Sequence, residues 1–491
     1  MPNFILCLDQ GTTGSTALVL DESLAVLGKA NREFQQHFPR PGWVEHHLDQ
    51  IWASMQQAIA DVLKHTRIDP KQIACIGITN QRETIGFWET KSGNAFAPAI
   101  VWQCRRTADR CDALKKAGHE AKIFEKTGLV VDAYFSGTKA EWLLDNVSGL
   151  RAKAESGAAQ LGTIDSFLIH RLTNGAAHVT DVTNASRTML FNIDTLAWDD
   201  ELCALLHVPK AALPRVVSSA EVVGKTAGVA GLPDGIPISG IAGDQQSALF
   251  GQACFEPGMA KCTYGTGAFM LLNTGTKRKN SHAKLLTTVA WRVGDETCYA
   301  LEGSVFIAGA VVQWLRDGLG FIETSAQIEA LAGSVPDSGG VTVVPAFAGL
   351  GAPYWRADAR GIITGITRGT TRAHIARAAV EAIALQNYDV LEAMQKDAGD
   401  LSLLRVDGGA AANNALLQYQ ADVLNVPLSR PKVIETTAFG AGCLAAIGSK
   451  LFAGTDKVKN VWKEDRRFEP KMAAADRDGH IKRWRHAVER A

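Results

Sequence analysis

The segment Asp9-Gln10-Gly11-Thr12-Thr13 has the residue types needed to handle phosphate. An apolar run, Phe4-Ile5-Leu6-Cys7-Leu8, stops at a carboxylate and turns through a glycine into two adjacent hydroxyls. Gly11 lacks a Cβ, so the backbone there can lie close to a ligand. Exposed N–H groups and the Thr12 and Thr13 hydroxyls can then donate to phosphate oxygens. Asp9, at the strand end, can hold Mg²⁺ through water, because that ion sheds its hydration shell reluctantly. No Gly-Lys-Ser/Thr follows, so this is not a Walker loop. The competing reading is an ordinary hairpin turn.

The pattern recurs twice. Lys261-Cys262-Thr263-Tyr264-Gly265-Thr266-Gly267 again joins glycines to hydroxyls. Leu404-Arg405-Val406-Asp407-Gly408-Gly409-Ala410 is followed by Asn413-Asn414 and a helical run over residues 415–424. Such loops can face one another across a cleft. One takes the outer phosphates of a nucleotide, a second opposes it, and a third admits base and ribose. Gly409 permits close approach of a flat base, and Asn413 can donate or accept at its edge.

A second constellation suits an alcohol acceptor. The strand-like residues 236–242 run into Gly243-Asp244-Gln245-Gln246. A carboxylate in that position can take a proton from a hydroxyl, a contribution of roughly 10²–10⁴-fold. It can equally cap the helix that starts near Gln245. Thr79-Asn80-Gln81-Arg82-Glu83-Thr84 sets a strong donor beside a strong acceptor. Polyol hydroxyls need both, while a solvated surface ion pair is the alternative. Trp102, within Ile100-Val101-Trp102-Gln103-Cys104-Arg105-Arg106-Thr107, can cover the carbon face of a small ligand, and Tyr134 can add a hydroxyl. Isolated aromatics more often serve core packing.

The elements that must position these groups read as mixed α/β. Strand-like runs cover residues 73–79, 236–242, 341–344 and 403–406, and helical periodicity covers residues 51–63, 138–145 and 374–394. In the last, Ile375, Ala379, Ile383 and Val390 repeat near helical spacing, predicting one buried stripe. No low-complexity segment or long linker divides the 491 residues, so two or more domains would share a close interface and a cleft. A hydrophobic content of 46% with 21% charged residues describes a globular chain. Lys+Arg and Asp+Glu balance at 51 each, which argues against a nucleic-acid partner. Nine cysteines without a Cys-x-x-Cys pair predict reduced thiols. With no basic region before the short N-terminal apolar run and no stretch long enough to span a bilayer, a cytoplasmic protein without a secretory leader or membrane insertion is expected.

The order of these loops resembles the sugar-kinase, actin and Hsp70 architecture. Asp9 to Thr13, Thr79 to Thr84, the Trp102 segment, Tyr134-Phe135-Ser136-Gly137-Thr138-Lys139, residues 183–191, 240–246 and 264–267, and Gly349-Leu350-Gly351-Ala352-Pro353-Tyr354-Trp355 look like those of the FGGY carbohydrate kinases. Residues 361–381 fit the family's second signature. The similarity runs in the family's order from about residue 4 to beyond residue 440, and the Asn-Gln-Arg-Glu-Thr and Trp-Gln-Cys-Arg-Arg segments look like those of its glycerol-phosphorylating branch.

The resemblance implies two ribonuclease-H-like domains, residues 1–245 and 246–491, closing on a catalytic cleft. It implies glycerol contacts for Arg82, Glu83, Trp102, Tyr134, Asp244 and Gln245, with Asp244 as base. It implies ATP contacts for Thr12, Thr13, Gly14, Thr266, Gly309, Gln313, Gly409 and Asn413, and Asp9 near Mg²⁺. The implied reaction turns glycerol and ATP into sn-glycerol 3-phosphate and ADP, in a homodimer or homotetramer. A sister kinase acting on another polyol or a ketose, or a non-metabolic ATPase, are the alternatives.

Departures from the pattern carry their own expectations. Thr16 stands where many such kinases have arginine, which removes one charged phosphate contact unless Lys or Arg reaches in from elsewhere. Residues 227–235 end in Asp234-Gly235 where some bacterial members have arginine in a regulatory loop for fructose 1,6-bisphosphate, so weak or absent inhibition is expected. Control by histidine phosphorylation, known in another branch, lacks its histidine here. The basic stretch over residues 481–490 is expected to be a solvated helix face.

Overall fold

The opening apolar run forms the strand Phe4–Gln10, in which Ile5, Leu6, Cys7 and Leu8 are fully buried. A continuous apolar run fits a strand covered on both faces. In the computed structural model, which describes residues 3–491, this strand lies inside a six-stranded sheet. The order is Gly224–Lys225, Pro237–Gly243, Ile73–Asn80, Phe4–Gln10, Gly14–Leu20, Val26–Glu33. Phe4–Gln10, Gly14–Leu20 and Val26–Glu33 form an antiparallel meander. Ile73–Asn80 and Pro237–Gly243 then add in parallel to the opening strand.

The second half repeats the plan. Ala260–Tyr264, Ala268–Gly275 and Glu296–Val305 pair antiparallel, and Leu404–Gly408 and Leu428–Pro431 add in parallel. Leu286–Val293 and Glu464–Phe468 extend the two edges to seven strands. A three-stranded meander followed by two parallel strands, met twice, is the expected pair of ribonuclease-H-like α/β units.

In open sheets with parallel strands, ligands gather beyond the carboxyl ends of those strands. Several of the chemical segments named above sit there. Asp9 ends the first strand, Arg82 and Glu83 follow Asn80, and Asp244 follows Gly243. Gly265 to Gly267 follow Tyr264, and Gly409 follows Gly408.

The helices agree in place with the periodicity and extend beyond it, as Leu48–Thr66, Ser136–Asn146, Arg372–Ala398 and Asn414–Leu424. Arg372–Ala398 differs in kind from the expected single stripe. Ala379, Ile383 and Val390 are buried, but so are Glu381, Gln386, Asn387 and Asp389. This helix is enclosed by strands of the second sheet and by neighbouring helices, so its polar side bonds inward, as in Asn387 Nδ2 to Gln420 Oε1 at 3.0 Å. The C-terminal helix, Ala474–Val488, likewise has a buried face through Ile481 and Trp484, with only its basic side solvated.

The helix Thr436–Gly448 comes from the second half in sequence yet packs on the first sheet and on the helix Asp244–Gly251. Glycines make this seam. A Cβ on Gly77 would run into the Ala441 carbonyl, and one on Gly440 into the Ser247 carbonyl. The expected division between residues 245 and 246 falls inside Asp244–Gly251, and the chain passes to the second sheet over residues 252–259.

Candidate active site

The segment Asp9 to Thr13 is a hairpin turn, as the competing reading expects, and the turn faces the cleft. Gly11 N–H donates to the Gly14 carbonyl at 2.9 Å, closing the turn between Phe4–Gln10 and Gly14–Leu20. Asp9, Gly11, Thr12 and Thr13 line a cavity of about 250 Å³ at the cleft. Gly14 closes the turn from behind and lines neither this cavity nor its neighbour. Thr16 points to Asn31, whose amide donates to its hydroxyl at 2.9 Å.

The same cavity gathers all the residues expected to hold an alcohol: Arg82, Glu83, Trp102, Tyr134, Asp244 and Gln245. Arg82 and Glu83 are about 98% buried, which excludes a solvated surface pair. They belong to a closed ring of alternating charge. Arg82 donates through Nη1 and Nη2 to Glu302 at 2.5 and 2.9 Å. Glu302 also accepts from Arg187 Nη2 at 2.8 Å, and Arg187 Nε donates to Glu83 at 2.6 Å. Glu83 returns to Arg82 Nε at 3.8 Å. Glu302 comes from the second half and the other three from the first, so this ring ties the cleft together from below. Burial favours an uncharged Glu302, but Arg187 and Arg82 outweigh it and draw its carboxyl down to about 2.

Backbone geometry helps aim the ring. Glu83 has φ of 61°, in the left-handed region, and Thr84 N–H donates to the Arg82 carbonyl at 2.7 Å across it. That three-residue turn is a strained arrangement held by its surroundings. Gly243 leaves room for the arginine, since a Cβ there would lie 2.7 Å from Arg82 Cγ and Cδ.

Asp244 begins the helix Asp244–Gly251, but Gly243 is the N-cap. The capping alternative therefore does not account for the carboxylate. Its Oδ1 accepts from Gln245 N–H at 2.7 Å and faces Arg82 Nε at 3.2 Å, with about a quarter of the side chain exposed to the cavity. Burial raises its carboxyl above the ordinary range, against the pull of Arg82 and Lys261. Asp9 is pushed to about 8 by burial and by the Asp244 and Glu435 carboxylates, while Lys29, ion-paired to Glu435 across the two halves, draws it back. Trp102 and Tyr134 meet edge-on at 5.7 Å, and the Trp102 indole N–H donates to the Thr12 hydroxyl at 2.9 Å. Gln245 receives the buried Lys261 ammonium on its Oε1 at 2.5 Å, which leaves its amide N–H₂ to donate.

A second cavity, about 470 Å³, adjoins the first through Gly265 and Thr266 and contains Gly309, Gln313, Gly409 and Asn413. Gly309 begins the helix Gly309–Asp317, with its N–H on the Gly265 carbonyl at 3.0 Å. Asn413 Oδ1 caps Asn414–Leu424 by accepting from Leu416 N–H, so only its amide N–H₂ remains for a ligand. Gly408 has φ of 86° and backs onto Tyr264, whereas Gly409 faces open space.

Sequence reasoning missed Glu302, Arg187, Lys261, Phe269 and Thr437. Phe269 and Thr437 line the first cavity. A glutamate in the buried part of the strand Glu296–Val305, between Leu301 and Gly303, was the available signal for Glu302.

The N-terminal domain of the FGGY family of carbohydrate kinases matches residues 4–251, and its C-terminal domain matches residues 260–449. The chain belongs to the FGGY carbohydrate kinases. This FGGY kinase is 57% identical to the glycerol kinase of Myxococcus xanthus over 491 residues, covering 99% of each chain. It is 56% identical to the glycerol kinase of Deinococcus radiodurans, covering 99% of this chain and 97% of that one. Among solved structures it is similar to Plasmodium falciparum glycerol kinase with ADP, at a TM-score of 0.89 and 37% identity, covering 100% and 98% of the chains. Gluconate kinase from Lactobacillus acidophilus, 23% identical at a TM-score of 0.87, shares the fold.

Proposed function

We propose that this FGGY kinase transfers the γ-phosphoryl group of ATP to glycerol, giving sn-glycerol 3-phosphate and ADP. One observation carries the reading: a small charged cavity with paired donors and acceptors opens, at Gly265 and Thr266, into a larger cavity lined by Gly309, Gln313, Gly409 and Asn413. The relatives named above are glycerol kinases, and the Plasmodium structure carries ADP. The volume of about 250 Å³ suits a three-carbon polyol with an incoming phosphoryl group.

In this reading Arg82 donates to one glycerol oxygen and Glu83 accepts from its hydroxyl. Tyr134 and Gln245 complete the hydrogen bonds, and Trp102 and Phe269 cover the carbon face. Asp244 takes the proton of the reacting hydroxyl as that oxygen bonds to the γ-phosphorus and the bond to ADP breaks. Charge stabilisation and alignment do most of the remaining work. Thr12, Thr13 and Thr266 hold the phosphates in a site shielded from water. Asp9 and Asp244 offer hard oxygen ligands on one wall, and the raised Asp9 carboxyl marks a place where added positive charge is favourable. Both fit Mg²⁺, which would neutralise phosphate charge when bound. Among the described residues no group of three or more His, Cys, Asp or Glu is placed around one metal position, so phosphate oxygens and water would complete the shell. Among the described residues no helix is long and apolar enough to cross a membrane.

A coupled assay with glycerol, erythritol and xylulose tests the reading. Turnover on glycerol above the others, lost in Asp244→Asn with ATP binding retained, is the expected result. Preference for another acceptor, or ATP hydrolysis indifferent to glycerol, would overturn it.

A further inference from the structure

Gln81 precedes the ion-pair ring by one residue, is 1% exposed and lines neither cavity. Its side chain nevertheless joins the turn after the first strand to the loop after Ile73–Asn80. Its amide Nε2 lies 3.0 Å from Gln10 Oε1, 3.2 Å from the Gly11 carbonyl and 3.2 Å from His46 Nδ1. Its Oε1 accepts from the Thr84 hydroxyl at 2.8 Å, and that hydroxyl accepts from Trp102 N–H at 3.2 Å. Trp102 closes the circuit by its indole bond to Thr12. The phosphate loop is thus gripped at Gly11 from the segment that carries Arg82 and Glu83, and at Thr12 from Trp102.

The partners fix the polarity. An amide N–H₂ only donates, so His46 Nδ1 accepts and Nε2 carries the proton given to Gln36 Oε1 at 2.6 Å. Burial holds His46 neutral, which keeps that arrangement. Gln10 Nε2 also donates to the Gly11 carbonyl, at 2.8 Å. Gln81 is therefore the hub at which the turn between the first two strands meets the loop after Ile73–Asn80.

We propose that Gln81 is a positioning residue that sets the phosphate loop relative to the bound acceptor, without touching either substrate. This rests on the phosphoryl-transfer reading above. Gln81 holds the Gly11 carbonyl together with Gln10 Nε2, and it holds Gln10 itself at Oε1, so the two glutamine side chains share the grip on the turn. A misplacement near 1 Å at a reacting centre costs on the order of 10²-fold.

Gln81→Glu is close to isosteric and keeps the acceptor for Thr84, but turns the donor toward Gly11 and Gln10 into an acceptor. Gln81→Met removes both functions. Each is assayed for turnover, for ATP binding by calorimetry and for glycerol binding by calorimetry, with thermal unfolding as the folding control. For Gln81→Glu the expected result is a tenfold or greater loss of kcat/KM for ATP and weaker ATP binding, with glycerol binding changed less than threefold. Gln81→Met should resemble it, and Gln10→Met combined with Gln81→Met should lose less than the product of the single losses. Wild-type ATP handling in either variant, or equal losses for both substrates, overturns the proposal. Failure of the wild type to phosphorylate glycerol counts against the function reading alone, since ATP binding to wild type and variants still reports on the loop.

Discussion

Replacing Glu302 by glutamine tests how far the acceptor site depends on the opposite half. The substitution keeps shape and removes one charge from a ring in which all four members are at least about 98% buried. The magnitude follows from two routes. Glu302 titrates near 2 rather than 4.5 because Arg187 and Arg82 overcome the cost of burying it. At 1.36 kcal/mol per unit that difference is worth about 3 kcal/mol. Removing one partner of a buried pair typically costs ~3–5 kcal/mol, because the other charge is left uncompensated. The sign is that of a depressed carboxyl: the contribution is complete above the unfolded value and is lost as pH falls through about 2. Measurement at pH 7 therefore reads all of it. About 3 kcal/mol corresponds to roughly 10²-fold if it falls on the arrangement that binds the acceptor. Glycerol KM should rise about 10–10²-fold in Glu302→Gln, with ATP KM moving much less and the unfolding midpoint lowered. A variant with unchanged glycerol KM and unchanged melting would refute the reasoning, because the ring would then be electrostatically idle.

Asp244→Asn should lose roughly 10²–10⁴-fold in kcat while ATP binding by calorimetry stays near wild type, as expected of a base. Inhibition by fructose 1,6-bisphosphate should be weak or absent in steady-state assays, because Asp234 caps its own loop at Gly228 N–H (2.8 Å) and Gly235 brings no cation. Ionisation of Asp9 should subtract stability as pH rises from about 4 to 8 in the ligand-free protein, because its carboxyl is held near 8 in the fold. Melting curves across that range should flatten with Mg²⁺ and in Asp9→Asn; an unchanged slope in both would contradict the assignment. Gly440→Ala should lower the unfolding midpoint sharply, since its Cβ meets the Ser247 backbone rather than a movable side chain.

The loops of this site were legible because each combines an apolar run, a glycine and a polar group at a strand end. That pattern is local, and the fold class followed from the order of those runs. Asp9, Asp244 and Thr266 were found in this way, Arg82 and Trp102 were assigned through the family resemblance, and all five line one cavity. Gly14, placed among the ATP contacts by the resemblance, accepts the Gly11 N–H that closes the turn and lines neither cavity. The partners of the ring were not legible. Glu302 lies 220 positions from Arg82 in sequence, and nothing in a single strand says which charge it will meet. Buried polar positions on Arg372–Ala398 escaped for a related reason: periodicity marks the apolar side and is silent about polar groups satisfied within the core.

The helix Thr436–Gly448 also sets an order in time. Ile5, Cys7 and Leu20 of the first sheet lie against Gly442, and Gly77 and Gly240 accept the same helix closely. A ribosome must add residues 252–435 before this helix exists, roughly 10–40 s at ~5–20 residues per second. Until then the first sheet emerges with an apolar face bare, a surface prone to association while it waits. The earliest strands of the chain therefore wait for a helix encoded near its other end.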